Sequence, residues 1–61
     1  MAIIYINGIR DSYSEALRTL YANNMSCDRE ELKAILDKAL TEDGEHQRDL
    51  ILSDAIEIIF N

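Results

Sequence analysis

Cys27 and His46 are the two residues whose side chains suit nucleophilic catalysis, as a thiol and a base. Such chemistry needs the two groups within hydrogen-bond reach, and nothing in their spacing predicts that they meet. A glycine-rich phosphate loop is also missing, since Gly8 and Gly44 are isolated and each is explained by a turn. Cys27 is expected at the start of a helix as a small, semi-buried residue. The sequence therefore predicts a protein that is not an enzyme.

One segment is dense in possible metal ligands: Glu42, Asp43, Glu45, His46 and Asp49. On a continuous helix Glu42, His46 and Asp49 share a face, and divalent metals accept such a set of carboxylates and imidazole. Gly44 interrupts that helix, and an exposed turn gives little support to metal ligands. A solvated loop is the favoured interpretation, with no metal and no cofactor.

The charge balance limits the kinds of partner. Twelve acidic residues against six basic ones give a net charge of −6. No basic patch is present, which argues against direct binding of nucleic acid or of anionic membranes. An acidic surface is attracted to a basic protein surface.

The N-terminal sequence MAIIYINGIR lacks the basic stretch and long apolar run of a secretory signal. The apolar runs are far shorter than a membrane span. A lone cysteine suits a reducing compartment. We expect a cytoplasmic protein.

The clearest element is an N-terminal β-hairpin, Ala2–Ile6 and Ile9–Tyr13 around Asn7-Gly8. Asn-Gly favours a type I′ turn, which places Ile6 opposite Ile9 and Tyr5 opposite Arg10. Alternation predicts two faces: a core face of Ile4, Ile6 and Ile9, and an outer face of Ile3, Tyr5, Arg10 and Ser12.

Two helices are predicted next. Apolar residues recur at helical spacing from Tyr13 to Tyr21, with Ser12 or Ser14 as the N-cap. Asn23-Asn24 predicts a left-handed end. The second helix begins after Ser26 or Asp28, with Met25 packed against its first turn. Its buried stripe is Leu32, Ile35, Leu36, Ala39 and Leu40, and Lys33 and Asp37 form a surface pair.

The C-terminal segment Glu45–Phe60 is open to two interpretations. Its length without a breaker favours a third helix, whereas alternation of Ile56, Ile58 and Phe60 favours a third strand. The helix is the preferred interpretation. The predicted fold is α+β: one small domain, residues 1–61, with a hairpin packed on two or three short helices.

From Leu50 to Phe60, eight of eleven residues are apolar, more than one helical stripe requires. Either this segment forms the core of the domain, or it associates with a second copy. We expect a homodimer that forms through Ile51, Ile58 and Phe60.

Function is predicted as non-enzymatic protein binding. Tyr5 and Arg10 are of the types that dominate interface energetics. The carboxylates can imitate a phosphate pattern toward a basic, nucleic-acid-handling partner. These acidic residues are Asp28, Glu30, Glu31, Asp37, Glu42, Asp43, Glu45 and Asp49.

No motif indicates a family. In size, acidity and compactness the chain resembles the small accessory proteins of bacteriophages and mobile elements, many of which inhibit a host protein by occupying a surface. That resemblance implies an inhibitor of the anti-defence or anti-CRISPR type. The alternative is an assembly protein whose role is homo-oligomerisation through its apolar C-terminal segment.

Overall fold

The structure is a computed structural model, and it describes residues 2–41 and 55–60. In these residues the chain forms strand β1 (Ala2–Ile6), strand β2 (Ile9–Arg10), helix α1 (Tyr13–Asn23), helix α2 (Arg29–Ala39) and strand β3 (Ile56–Phe60). The predicted α+β fold with an N-terminal hairpin is confirmed, and the C-terminal segment contributes a third strand.

The three strands form one antiparallel sheet in the order β2-β1-β3. On one side of β1, Tyr5 pairs with Arg10 and Ile6 with Ile9, which is the predicted register. On the other side, β3 pairs with β1 from Ala2 opposite Phe60 to Ile6 opposite Ile56. The pairing with β3 continues into the turn, where the Asn7 amide donates a hydrogen bond to the Ala55 carbonyl at 2.8 Å.

The hairpin turn has the predicted conformation. Asn7 has φ 51° and Gly8 has φ 82°, as both central residues of a type I′ turn require. The Asp11 amide donates to the Ile4 carbonyl at 2.9 Å, so the two arms remain together beyond β2.

Ser12 caps α1, as one of the two predicted N-caps. Its Oγ accepts a hydrogen bond from the Glu15 amide at 3.2 Å, which satisfies one of the free N–H groups of the first turn. The predicted left-handed end at Asn24 is wrong, because this residue has φ −137°. Asn24 instead ends the helix with its side chain, whose Nδ2 donates to the Leu20 carbonyl at 2.9 Å.

Helix α2 is capped by Asp28, whose side chain accepts from the Glu30 amide at 3.3 Å. Glu30 and Glu31 lie in its first turn and Lys38 in its last, as the helix dipole favours. Of the predicted stripe, Leu32, Leu36 and Ala39 are buried, whereas Ile35 and Leu40 are half-buried. Met25 is 86% exposed, so its predicted packing against this helix is wrong.

Both helices supply the core that covers one face of the sheet. The strands contribute three isoleucines, and α1 and α2 contribute alanine and leucine at helical spacing. The buried residues are Ile4, Ala16, Leu20, Leu32, Leu36, Ala39, Ile56 and Ile58. No polar or charged residue is buried among the described residues.

Ile9 departs from the predicted core face. Its side chain is 70% exposed. Strand β2 has two residues and lies at the edge of the sheet, on the opposite side of β1 from β3. The predicted alternation is therefore correct in placing Ile4 in the core, but the core does not extend to the edge strand.

The preferred helix over Glu45–Phe60 is wrong for residues 56–60, and the alternative strand is correct. Ile56 and Ile58 are buried while Glu57 and Ile59 are exposed, the alternation of a strand with one covered face. β-Branched side chains suit a sheet, and β1 supplies a complete partner for all five residues. Residues 42–54, including the possible metal ligands, lie outside the described residues.

Replacing Gly8 tests the turn without a packing effect, because a Cβ at this position meets no atom within 4 Å. We expect Gly8→Val to lower the free energy of unfolding by about 1–3 kcal/mol, since a β-branched residue resists positive φ. Gly8→Asn is the matched control and should cost less, because asparagine tolerates this conformation. Urea denaturation measures both, and equal effects would contradict the turn assignment.

Ile58 and Ile59 are neighbours on opposite faces of β3, at 2% and 41% exposure. We expect Ile58→Ala to cost about 2–5 kcal/mol of unfolding free energy, because it leaves a cavity in the core. Ile59→Ala should cost less than about 1 kcal/mol. Chemical denaturation of the two variants compares them directly. Similar costs would mean that β3 does not present alternate residues to the core.

Candidate functional site

An open cleft runs along the side of α1 that faces away from the sheet. It has a volume of about 540 Å³. Leucine, tyrosine and methionine side chains provide apolar surface, two arginines add charge, and Ser14 and Ala22 are small. We call it the α1 cleft: Ser14, Leu17, Arg18, Tyr21, Ala22, Met25 and Arg29.

Tyr21 and Arg29 join the two helices at this surface. The Arg29 guanidinium carbon lies 5.1 Å from the centre of the Tyr21 ring, within the range of a cation–π contact. Tyr21 is half-buried and packs against the core. The contact therefore holds a cation on an aromatic surface whose position is set by the core.

Arg29 occupies an unfavourable position for helix stability. It is the first residue of α2, where the positive end of the helix dipole disfavours a cation. Asp28, Glu30 and Glu31 surround it in sequence, yet none forms an ion pair with it in the described part of the chain. Helix formation thus does not explain an arginine here, whereas the contact with Tyr21 gives it a place in the cleft.

Arg18 is the second cation of the cleft. Its side chain is 78% exposed and pairs with Glu15 at 3.3 Å within the same helix. Exposed pairs of this kind contribute about 0–1 kcal/mol. The guanidinium is therefore free to reorient toward a ligand at little cost.

Met25 completes the cleft beyond the end of α1. Its side chain is 86% exposed, more than Ile9 or Ile59. A long, flexible thioether adapts its shape to a partner surface, and methionine is enriched at interfaces. Together with Leu17 and Tyr21 it forms a contiguous apolar strip bordered by two arginines.

A polar cluster lies between the two helices, outside the cleft. The Tyr13 hydroxyl donates a hydrogen bond to Asp37 Oδ1, and Lys33 Nζ donates to Asp37 Oδ2 at 3.1 Å. The hydrogen bond to Asp37 raises the pKa of Tyr13, and burial raises it further. The hydrogen bonds from Tyr13 and then Lys33 lower the pKa of Asp37. The carboxylate of Asp37 is thus held in place by its own neighbours.

The acidic residues predicted to bind a partner have varied surroundings. Asp28 caps α2 and Asp37 is bound by Tyr13 and Lys33. Glu30 and Glu31 are exposed on the first turn of α2. The remaining four, Glu42, Asp43, Glu45 and Asp49, lie outside the described residues.

Tyr5 and Arg10 lie side by side on the face of the sheet opposite the helices. The register places Tyr5 between Arg10 and Glu57 in one row across the three strands. Ile3 and Ile59 pair in a neighbouring row, with Ile59 41% exposed. The predicted pairing of Tyr5 with Arg10 is confirmed, and its use in binding stays a prediction.

Two of the three residues predicted for self-association, Ile58 and Phe60, lie on the core face of β3. Ile58 is 2% exposed and belongs to the core of the chain itself, and Phe60 is half-buried against that core. Ile51 lies outside the described residues. The side chain of Ile58 is thus unavailable to a second copy, because the strand that carries it turns it toward the helices.

Neither of the hypotheses for chemistry gains support from geometry. Cys27 is exposed, and His46 lies outside the described residues. Among residues 2–41 and 55–60, side chains of the metal-binding types do not gather in groups of three. Neither described helix has the length and apolar character needed to cross a membrane.

Comparison with known protein families, curated proteins and solved structures gives no match for this chain. The functional argument therefore depends on the surfaces described above.

Sequence reasoning places Tyr21 in the core, assigns Met25 to the first turn of α2 and gives no role to Arg18 or Arg29. Tyr21 lies at the edge of the apolar stripe of α1, and an edge position leaves one side of its ring outward. The cation at the first position of α2 was a further signal, because a helix start disfavours it. The distance between Tyr21 and Arg29 depends on the turn between the helices, so no local sequence pattern predicts their contact.

Replacing Tyr13 by phenylalanine tests the polar cluster through its pH dependence. The lowered pKa of Asp37 means that its contribution to stability is present above pH 3.8 and is lost as pH falls through the folded-state pKa. The raised pKa of Tyr13 means that its contribution is present below pH 10.0 and is lost as pH rises through its folded-state pKa.

We therefore expect the unfolding free energy of the wild type to exceed that of Tyr13→Phe, with the largest difference between these two pH limits. The difference should be less than about 1 kcal/mol, because the groups are solvent-accessible. Urea denaturation from pH 3 to pH 11 measures the difference. A difference that stays constant across this range would contradict the cluster.

Proposed function

We propose that this protein is a non-enzymatic protein-binding module that engages its partner through the α1 cleft. The observation that carries the proposal is the cleft in which half-buried Leu17 and Tyr21 and exposed Met25 are bordered by Arg18 and Arg29. Tyrosine, methionine and arginine are the types enriched in the centres of protein interfaces. Binding by such a surface inhibits a partner when it covers a functional site, which is the role expected for a small accessory protein.

Three features of the cleft support this proposal. Leu17 and Tyr21 are held against the core, so these two side chains lose little conformational freedom when a partner binds. Tyr21 already carries Arg29 on its ring, so a cation and an aromatic surface are positioned together. Met25 is exposed and is not among the described residues that pack against the core.

Imitation of a phosphate pattern toward a basic partner has less support. Asp37 is bound to Lys33 at 3.1 Å, so a cation lies within the row of carboxylates on α2. Asp28 is used as a helix cap. In the described part of the chain, the exposed residues Glu30 and Glu31 remain available to imitate phosphates. Helix stability already explains both residues.

Self-assembly through the apolar C-terminal segment also has less support. The sequence argument rested on more apolar residues than one domain can bury. Ile56 and Ile58 are buried by the core of the chain itself. The excess of apolar side chains in residues 56–60 is thus largely explained within one copy, and a homodimer stays a prediction.

Two identical substitutions at exposed alanines test the proposal. Ala22 lines the cleft, whereas Ala34 is exposed on α2 outside it. Ala22→Arg places a long side chain in the cleft, and Ala34→Arg adds the same chain elsewhere. Because both positions are exposed and helical, we expect both variants to fold with the melting temperature of the wild type.

Tagged wild-type protein and both variants would be used to capture proteins from a lysate of the source cells, with quantification by mass spectrometry. Proteins retained by the wild type and Ala34→Arg should be lost at least tenfold with Ala22→Arg. Equal retention by Ala22→Arg would show that the cleft is not the binding surface.

A further inference from the structure

The charge of the α1 cleft is opposite to that of the whole chain. Two of the six basic residues, Arg18 and Arg29, border it, and none of its lining residues is acidic. The chain as a whole has a net charge of −6. A ligand in the cleft thus meets these two guanidinium groups first, with Glu15 paired to Arg18 at 3.3 Å and with Asp28 and Glu30 beside Arg29 in the sequence.

The shape of the cleft suits a helix. Ser14, Arg18 and Ala22 follow one another at four-residue intervals along α1, so two small side chains flank one long one. Small residues let a second helix approach closely, and the ridge of that helix can lie over the strip of Leu17, Tyr21 and Met25. The span from Ser14 to Ala22 along α1 is about 12 Å at 1.5 Å per residue, which matches about two helical turns.

A second copy of the same cleft does not fit this surface. Two-fold association brings the same patch of each copy together. The joined patches would then hold four guanidinium groups and, among their lining residues, no carboxylate to pair with them. Nucleic acid is disfavoured by the net charge of −6 and by the apolar strip.

From this charge and shape we infer that the cleft binds an acidic amphipathic helix of a partner protein. Apolar residues on one face of that helix cover Leu17, Tyr21 and Met25, and carboxylates beside them contact Arg18 and Arg29. Arginine suits this contact because its planar fork of N–H donors matches a carboxylate. The inference rests on the proposed function and adds the chemistry of the partner.

Three synthetic peptides of about 14 residues test the inference. They share one face of leucines at helical spacing and differ on the flanking positions, which are all glutamate, all glutamine or all lysine. Fluorescence anisotropy at physiological salt measures their affinities for the full chain. We expect the glutamate peptide to bind at least about tenfold more tightly than the glutamine peptide, and the lysine peptide to bind most weakly.

Variants of the arginines assign the charge effect to the cleft. Arg18→Gln and Arg29→Gln should each weaken the glutamate peptide several-fold and leave the glutamine peptide nearly unchanged. Lys38→Gln is the matched control, because it removes one positive charge from an exposed position on α2 outside the cleft. Circular dichroism verifies that each variant is folded.

The other outcomes separate this inference from the proposed function. Equal binding of the glutamate and glutamine peptides would overturn the acidic partner while leaving an apolar protein-binding cleft. Tightest binding of the lysine peptide would overturn it in favour of a basic partner. If no peptide binds, yet Ala22→Arg still loses the captured cellular proteins, the helical acidic partner is wrong and the proposed function stands.

Discussion

The pairing of β3 with β1 is the constraint on which the rest of this small structure depends. β2 has two residues, so the hairpin alone gives a narrow sheet with little apolar surface. Five residue pairs with β3 make β1 the central strand and place Ile56 and Ile58 beside Ile6 and Ile4. Only then does one face of the sheet carry enough isoleucine to bury the leucines of α1 and α2. The core therefore forms from residues at opposite ends of the described chain.

Local physical rules predict the parts of this fold that neighbouring residues determine. Asn7-Gly8 fixed the turn and the register, Ser12 and Asp28 fixed the helix starts, and the leucine spacing fixed the buried face of α2. The preferred interpretation misses the third strand, because Ile56–Phe60 forms a strand by pairing with β1, which lies far away in the sequence. Helical and strand periods are hard to distinguish in a short apolar run, and only the open edge of β1 decides between them.

The candidate site was less predictable than the fold, since it depends on the meeting of two helices. Sequence reasoning correctly assigns Tyr21 to the apolar stripe of α1. It does not predict that Tyr21 also lines the cleft. Arg29 reaches that ring because the turn after Asn24 returns the chain beside α1. The turn itself is stabilised by the Cys27 amide, which donates to the Asn24 carbonyl at 3.0 Å. A contact set by such a turn has no signature in spacing alone.

In this acidic chain the few basic residues are more informative than the many carboxylates. With twelve acidic residues, an exposed carboxylate needs no special explanation, and several of them already cap, orient or neutralise α2. The basic residues are half as many, and two of the six meet at one apolar cleft. One of these two, Arg29, stands where the helix dipole disfavours it. Its contact with the half-buried Tyr21 joins the two helices and at the same time keeps the guanidinium at the border of the cleft. For that reason the proposed partner surface rests on the two arginines rather than on the net charge of the chain.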